Sequence, residues 1–171
     1  MSFTLKCPKW LQKIGGRSGR VSAPKKVLAI ASGGGHWVQL LRMSPAFEGQ
    51  DVAYVTTMAS YRGQVNGARF YVVRDASRWN KVALARMAMQ IAWVLLRERP
   101  DVIVSTGAAP GYVAIRFGKL LGARTVWVDS MANAEKLSMS GRRVGPHADL
   151  WLTQWPHLAC DEGPQYEGAV L

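Results

Sequence analysis

The sequence predicts an α/β domain built on a doubly wound, mostly parallel, Rossmann-like sheet. Three observations carry this. Short apolar runs alternate with longer stretches of helical periodicity. The runs are apolar at consecutive positions, as in Val27-Leu28-Ala29-Ile30-Ala31 and Val102-Ile103-Val104, which marks strands covered on both faces. Two of them pass directly into glycine-rich turns, Ser32-Gly33-Gly34-Gly35 and Thr106-Gly107-Ala108-Ala109-Pro110-Gly111.

The first unit is the most informative. After Val27–Ala31 come three glycines and then apolar positions at helical spacing, Val38, Leu40, Leu41 and Met43. A strand, a tight glycine turn and a helix N-terminus place bare peptide N–H groups and the positive end of a helix dipole beyond the strand tip. That arrangement suits a phosphate or diphosphate. Glycine allows close approach and the positive φ such turns often need. Asp51–Thr57 reads as a second strand, Met58–Ala68 as a loop and Phe70-Tyr71-Val72-Val73 as a third strand.

A helix is expected from Asn80, as N-cap, to Arg99, stopped by Pro100. From Val82 to Leu96 its only polar residues are Arg86 and Gln90, so it packs on the sheet or turns an apolar face to a bilayer or partner. Asp101–Ser105 is a fourth strand. The second glycine turn follows, then a helix from Tyr112 to Leu121 closed by Gly122. Thr125–Val128 is a fifth strand ending at Asp129-Ser130. Asp149–Thr153 is a sixth, followed by the turn Gln154-Trp155-Pro156. In such sheets ligands lie beyond the carboxyl ends of the strands. Both glycine turns and Asp129-Ser130 are therefore expected to converge on one crevice.

Composition narrows the partners. The chain has 171 residues, 49% hydrophobic and 19% charged, as in a globular protein. Its net charge is +11, and residues 1–26 hold Lys6, Lys9, Lys13, Arg17, Arg20, Lys25 and Lys26 without one acid. Residues 1–25 thus read as a basic arm, and 26–171 as one domain. Phe3, Cys7, Trp10, Leu11 and Ile14 fall near helical spacing with Lys6, Lys9 and Lys13 between them. The arm is either a helix on an anionic membrane surface, with Lys6, Lys9, Trp10 and Lys13 as contacts, or a disordered tail. No run approaches the length of a membrane span, and nothing resembles a secretory signal. Cys7 and Cys160 form neither a disulfide framework nor, with His36, His147 and His157, a metal-ligand spacing; no metal or cofactor is expected.

The first turn is not a dinucleotide fingerprint, because Val38 stands where the third glycine belongs, and no Gly-Lys-Ser/Thr makes it a P-loop. A nucleotide-dependent oxidoreductase is disfavoured on that ground. A nucleic-acid binder is disfavoured because the aromatic residues lie in apparent core segments, apart from any Lys/Arg patch. His36, beside the glycine turn at a helix start, is either a general base or a residue donating a hydrogen bond to a loop carbonyl. Asp129, at a strand end, assists as base, holds a sugar hydroxyl or caps the next helix.

Taken in order, Ser32-Gly33-Gly34-Gly35-His36, Ser105–Gly111, Val126-Trp127-Val128-Asp129-Ser130, Leu137-Ser138-Met139-Ser140-Gly141-Arg142 and Ala148-Asp149-Leu150 with Gln154-Trp155-Pro156 resemble the acceptor-side subunit of two-component UDP-sugar glycosyltransferases. That family serves oligosaccharide and exopolysaccharide biosynthesis. It includes the membrane-anchor subunit of the N-acetylglucosaminyltransferase of N-glycan assembly, and is similar to the N-terminal half of the lipid-II-forming N-acetylglucosaminyltransferase. The resemblance implies half of a GT-B fold, with a separate donor-binding subunit supplying the rest. It implies inverting, metal-independent transfer from a UDP-sugar to a polyprenyl-diphosphate-linked saccharide, at the cytoplasmic face of the plasma (inner) membrane. His36 and Asp129 become candidate bases. Ser32, Gly33, Gly34, Gly35, Thr106, Gly107, Gly111 and Ser130 become candidate substrate contacts. Eukaryotic members carry an N-terminal membrane anchor where this chain has the basic arm with Trp10, which favours peripheral attachment. A noncatalytic scaffold that docks a transferase to the membrane is the rival.

Overall fold

The structure is a computed structural model that describes residues 23–76 and 80–170. The arm contacts Lys6, Lys9, Trp10 and Lys13 lie outside the described residues. Strands β1 (Lys26–Ile30), β2 (Asp51–Thr56), β3 (Arg69–Val72), β4 (Val102–Ser105), β5 (Arg124–Val128) and β6 (Leu150–Leu152) form one sheet. Its order is β3-β2-β1-β4-β5-β6 and every pairing is parallel. The strand order reverses between β1 and β4, so the ligand-binding crevice of such a sheet falls beyond these two tips.

Helices α1 (Gly35–Arg42), α2 (Lys81–Glu98), α3 (Ala108–Leu120) and α4 (Met139–Val144) complete the layers. Alternation along β1 divides the core. Leu28 and Ile30 face the cluster holding Met87, Ile91 and Leu95 of α2 and Ile115 of α3. Val27, Ala29 and Ala31 face the cluster of Trp37 and Leu40 from α1 with Phe47 and Tyr54. Consecutive apolar residues are needed because both faces are covered.

Local signals act as expected at α2. Asn80 Oδ1 accepts the Ala83 N–H at 2.9 Å, and Arg99 ends the helix in the left-handed region before Pro100. One face of α2 packs on the sheet, while Val82, Met89, Trp93 and Leu96 are exposed. No helix among the described residues is long and apolar enough to cross a membrane. At the end of α3, Ala123 N–H reaches Gly118 O and Gly122 N–H reaches Lys119 O, the bond pair of a glycine-closed terminus.

Two expectations are corrected. Helix α3 begins at Ala108, not Tyr112, because Pro110 falls in its first turn, where a missing N–H costs nothing. The segment Met58–Ala68, expected as a loop, contains a 3-10 turn over Ala59–Gln64 that lies against α1.

Candidate functional site

Register brings the tips level. Ile30 pairs with Ser105 and Ser105 with Trp127, so the chain leaves β1, β4 and β5 in one row. The two glycine turns are bound together across the β1/β4 reversal. His36 Nδ1 lies 2.9 Å from Thr106 O, and Thr106 Oγ1 donates to His36 O at 2.7 Å. A carbonyl only accepts, so Nδ1 carries the proton. In the neutral ring Nε2 is then a lone pair. The two readings of His36 are therefore compatible, because different nitrogens serve them.

Each turn uses its glycines differently. Gly34 has φ +66° and nothing within 4 Å of where a Cβ would stand. Gly35 is equally open, and both are exposed. Gly33 is covered on one side, since a Cβ there would lie 2.8 Å from Met58 Cγ. The Gly34 N–H is taken by Tyr61 Oη at 3.1 Å, and the Tyr61 ring stacks on Trp37 with centroids 5.2 Å apart. That leaves the first amides of α1, which have no intrahelical acceptor, at the crevice. Ser32 Oγ is turned back to Gly33 O at 3.4 Å.

The second turn is filled. Gly107, at φ +140°, has the His36 ring where its Cβ would be, and its N–H is taken by Ser105 Oγ at 3.2 Å. Gly111, expected as a substrate contact, is buried inside α3. A Cβ there would overlap Ser105 Oγ and press on Trp127, so this glycine serves helix–sheet packing. Thr106 is fully buried, and its hydroxyl clamps α1.

Asp129 is held by its own loop. It is 2% exposed, and its carboxylate accepts Ser138 Oγ at 2.6 Å, Ser138 N–H at 2.8 Å and Ser130 N–H at 3.2 Å. These bonds close the loop from β5 to α4 and fix Ser138 as the cap of α4, whose Oγ accepts the Gly141 N–H at 2.8 Å. A carboxylate so engaged organises the loop from β5 to α4.

Beneath Asp129, Ser130 is bound to Gln39 of α1, whose Nε2 donates to Ser130 Oγ at 3.1 Å. All three features thus meet, with His36 and Gln39 on adjacent turns of one helix joined to the tips of β4 and β5.

A family model described as "Oligosaccharide biosynthesis protein Alg14 like" matches residues 71–170, more than half of the chain. The chain belongs to the Alg14 family. Two fungal members are each named UDP-N-acetylglucosamine transferase subunit ALG14. That of Eremothecium gossypii is 29% identical over 85% of this chain and 80% of its own length. That of Yarrowia lipolytica is 28% identical over 78% and 75%. Among solved structures, MurG of Acinetobacter baumannii superposes with a TM-score of 0.68 at 14% identity. The match covers 84% of this chain and 45% of that one. UDP-N-acetylglucosamine 2-epimerase from Rickettsia bellii gives 0.60 at 16% identity, over 86% and 45%. These likenesses establish the GT-B-like Rossmann architecture expected from the sequence.

Sequence reasoning missed Tyr61, Gln39 and Gln154. Tyr61 lies in a stretch without periodicity. Gln39 carried a signal, an amide between Val38 and Leu40, but Gln154 lies between Thr153 and Trp155 and nothing paired residues 115 positions apart.

Proposed function

We propose that this Alg14-family chain is the acceptor-binding subunit of a two-component inverting glycosyltransferase. A separate donor-binding subunit would complete it. The sugar would pass from a UDP-sugar, for which the names of the fungal relatives favour UDP-N-acetylglucosamine, to a polyprenyl-diphosphate-linked saccharide. One observation supports the reading: His36 is held through Nδ1 by Thr106 O at the reversal point, which leaves Nε2 without a partner among the described residues, on the residue that follows the open Gly35.

The steps follow from that geometry. The acceptor diphosphate lies against the Gly34–Gly35 side of the crevice, where amide donors and the helix dipole meet its charge. His36 Nε2 takes the proton of the acceptor hydroxyl as its oxygen bonds to the anomeric carbon. The bond from that carbon to the UDP oxygen breaks on the opposite face, inverting the centre and releasing UDP. Thr106 O stabilises the imidazolium that forms, through the Nδ1 proton. The basic arm, through Lys6, Lys9, Trp10 and Lys13, would hold the chain to anionic lipid at the cytoplasmic face of the membrane.

The test is transfer by the chain co-purified with its partner, using a panel of UDP-sugars and a lipid-diphosphate saccharide. His36→Asn retains a donor toward Thr106 O but has no Nε2. It should fold like the parent and lose turnover. A fully active variant would remove His36 from the role. For the arm, deletion of residues 1–24 should abolish salt-sensitive binding to anionic vesicles, and undiminished binding would exclude it.

A further inference from the structure

Below the crevice two buried amide side chains meet, on elements remote in sequence. Gln39 and Gln154 are each 4% exposed. Gln154 Nε2 donates to Asp129 O at 2.8 Å and to Gln39 Oε1 at 3.0 Å, while its Oε1 accepts the Val170 N–H at 2.9 Å. Gln39 Nε2 then donates to Ser130 Oγ. Burying an amide is costly unless it is paired, and apolar side chains would join these elements as well.

The network has a direction. A backbone carbonyl on one side of Gln154 and a backbone N–H on the other fix which end of its amide is which. Gln39 must therefore turn its oxygen to Gln154 and its NH2 to Ser130. The Ala132 N–H also reaches Ser130 Oγ, at 3.3 Å. With two incoming donors, both lone pairs of that hydroxyl are occupied. Only its proton is left, and among the described residues it has no acceptor, although Ser130 is just 5% exposed. A buried hydroxyl whose proton is unclaimed at a strand tip of the crevice is a donor awaiting an oxygen.

We propose that Gln154 and Gln39 are positioning residues that commit the Ser130 hydroxyl to donating, so that Ser130 gives its proton to an oxygen of the acceptor substrate. This rests on the acceptor-binding reading above. The Gln154 link to Val170 makes the C-terminal segment part of the same support.

The polarity is testable, because it can be reversed without removing the side chain. Gln39→Glu in its ionised form still accepts from Gln154 but cannot donate, so Ser130 must turn its proton inward to the new carboxylate. With the partner subunit, UDP-N-acetylglucosamine and a lipid-diphosphate saccharide, Ser130→Ala should raise the acceptor KM about tenfold, the loss of one hydrogen bond to a charged group. Gln39→Glu should raise it equally, and the double variant no further. Non-additivity of this kind marks two residues acting through one bond. The KM for the UDP-sugar should not change. The uncharged Gln39→Met should raise the acceptor KM less than Ser130→Ala and have no effect on top of it, and it decides the matter alone if the glutamate variant does not fold. Additive effects, or an unchanged acceptor KM in Ser130→Ala, would overturn the inference. A parent pair that transfers nothing to lipid diphosphates would instead overturn the acceptor reading itself.

Discussion

The two glycine turns are alike in sequence and opposite in use. At the first, Gly34 and Gly35 look onto open space. At the second, Gly107 makes room for the His36 ring, and Gly111 makes room for Ser105 and Trp127. At one turn the glycines leave open space outside the chain; at the other they let the chain approach itself. The lesson is that a glycine run after a strand marks a close approach and leaves the approaching body unnamed. Here the filled turn carries the open one, because Thr106 and Gly107 are what hold α1 and its imidazole in place.

The contrast can be broken most forcefully at His36, where the turns touch. His36→Asn should lower turnover by about 10²- to 10⁴-fold, the usual contribution of a positioned base, with an unchanged melting temperature. A parallel fall in melting temperature would mean that the residue is only a clasp. Next comes Gly111→Ala, which forces a methyl group into Ser105. Overpacking should cost about 1–3 kcal/mol of stability, read from denaturant unfolding. Gly35→Ala is its counterpart. It should melt like the parent while raising the acceptor KM by about tenfold, as expected for blocking an amide–anion contact. If Gly35→Ala unfolded the chain while Gly111→Ala did not, the division between open and filled turns would be wrong.

The smallest effect belongs to an edge remote from both turns. Burial alone would raise the Asp149 carboxyl, but hydrogen bonds from Lys119 and Thr125 outweigh it and hold the group below its ordinary range. A carboxylate with a lowered folded pKa contributes stability above its unfolded pKa and loses it as pH falls through the folded value. The melting temperature should therefore drop modestly on acidification below about pH 4, the ordinary range of an aspartate. In Asp149→Asn that part of the drop should vanish, with transfer activity unaltered at neutral pH.

Much of the fold was legible because its signals are local. Asn80 and Pro100 bound α2 through hydrogen-bond capacity and a missing N–H, and both act as read. Consecutive apolar residues in β1 and β4 require cover on both faces, and both faces are covered. The start of α3 was not legible, because Gly107-Ala108-Ala109-Pro110 satisfies a turn and a helical first turn equally well. At the site, His36 was legible as a residue with two possible uses. The bonding of Asp129 to its own loop was not, since Ser138 is nine residues away and a strand-end carboxylate looks the same whether loop or substrate binds it.

By itself, then, the sequence determined the alternation of strands and helices, the glycine turns at strand tips and the lone histidine beside one of them. These depend on backbone freedom, capping and apolar periodicity, which act over a few residues. Only the tertiary structure decided which glycines face outward, which nitrogen of His36 is bound to Thr106 and which donors reach the Ser130 hydroxyl. The decisive partners come from elsewhere in the chain, as far as 70 positions for Thr106 and His36 and 115 for Gln154 and Gln39. Hydrogen bonds are directional and satisfied by whatever folding delivers, so their pattern is a property of the assembled sheet.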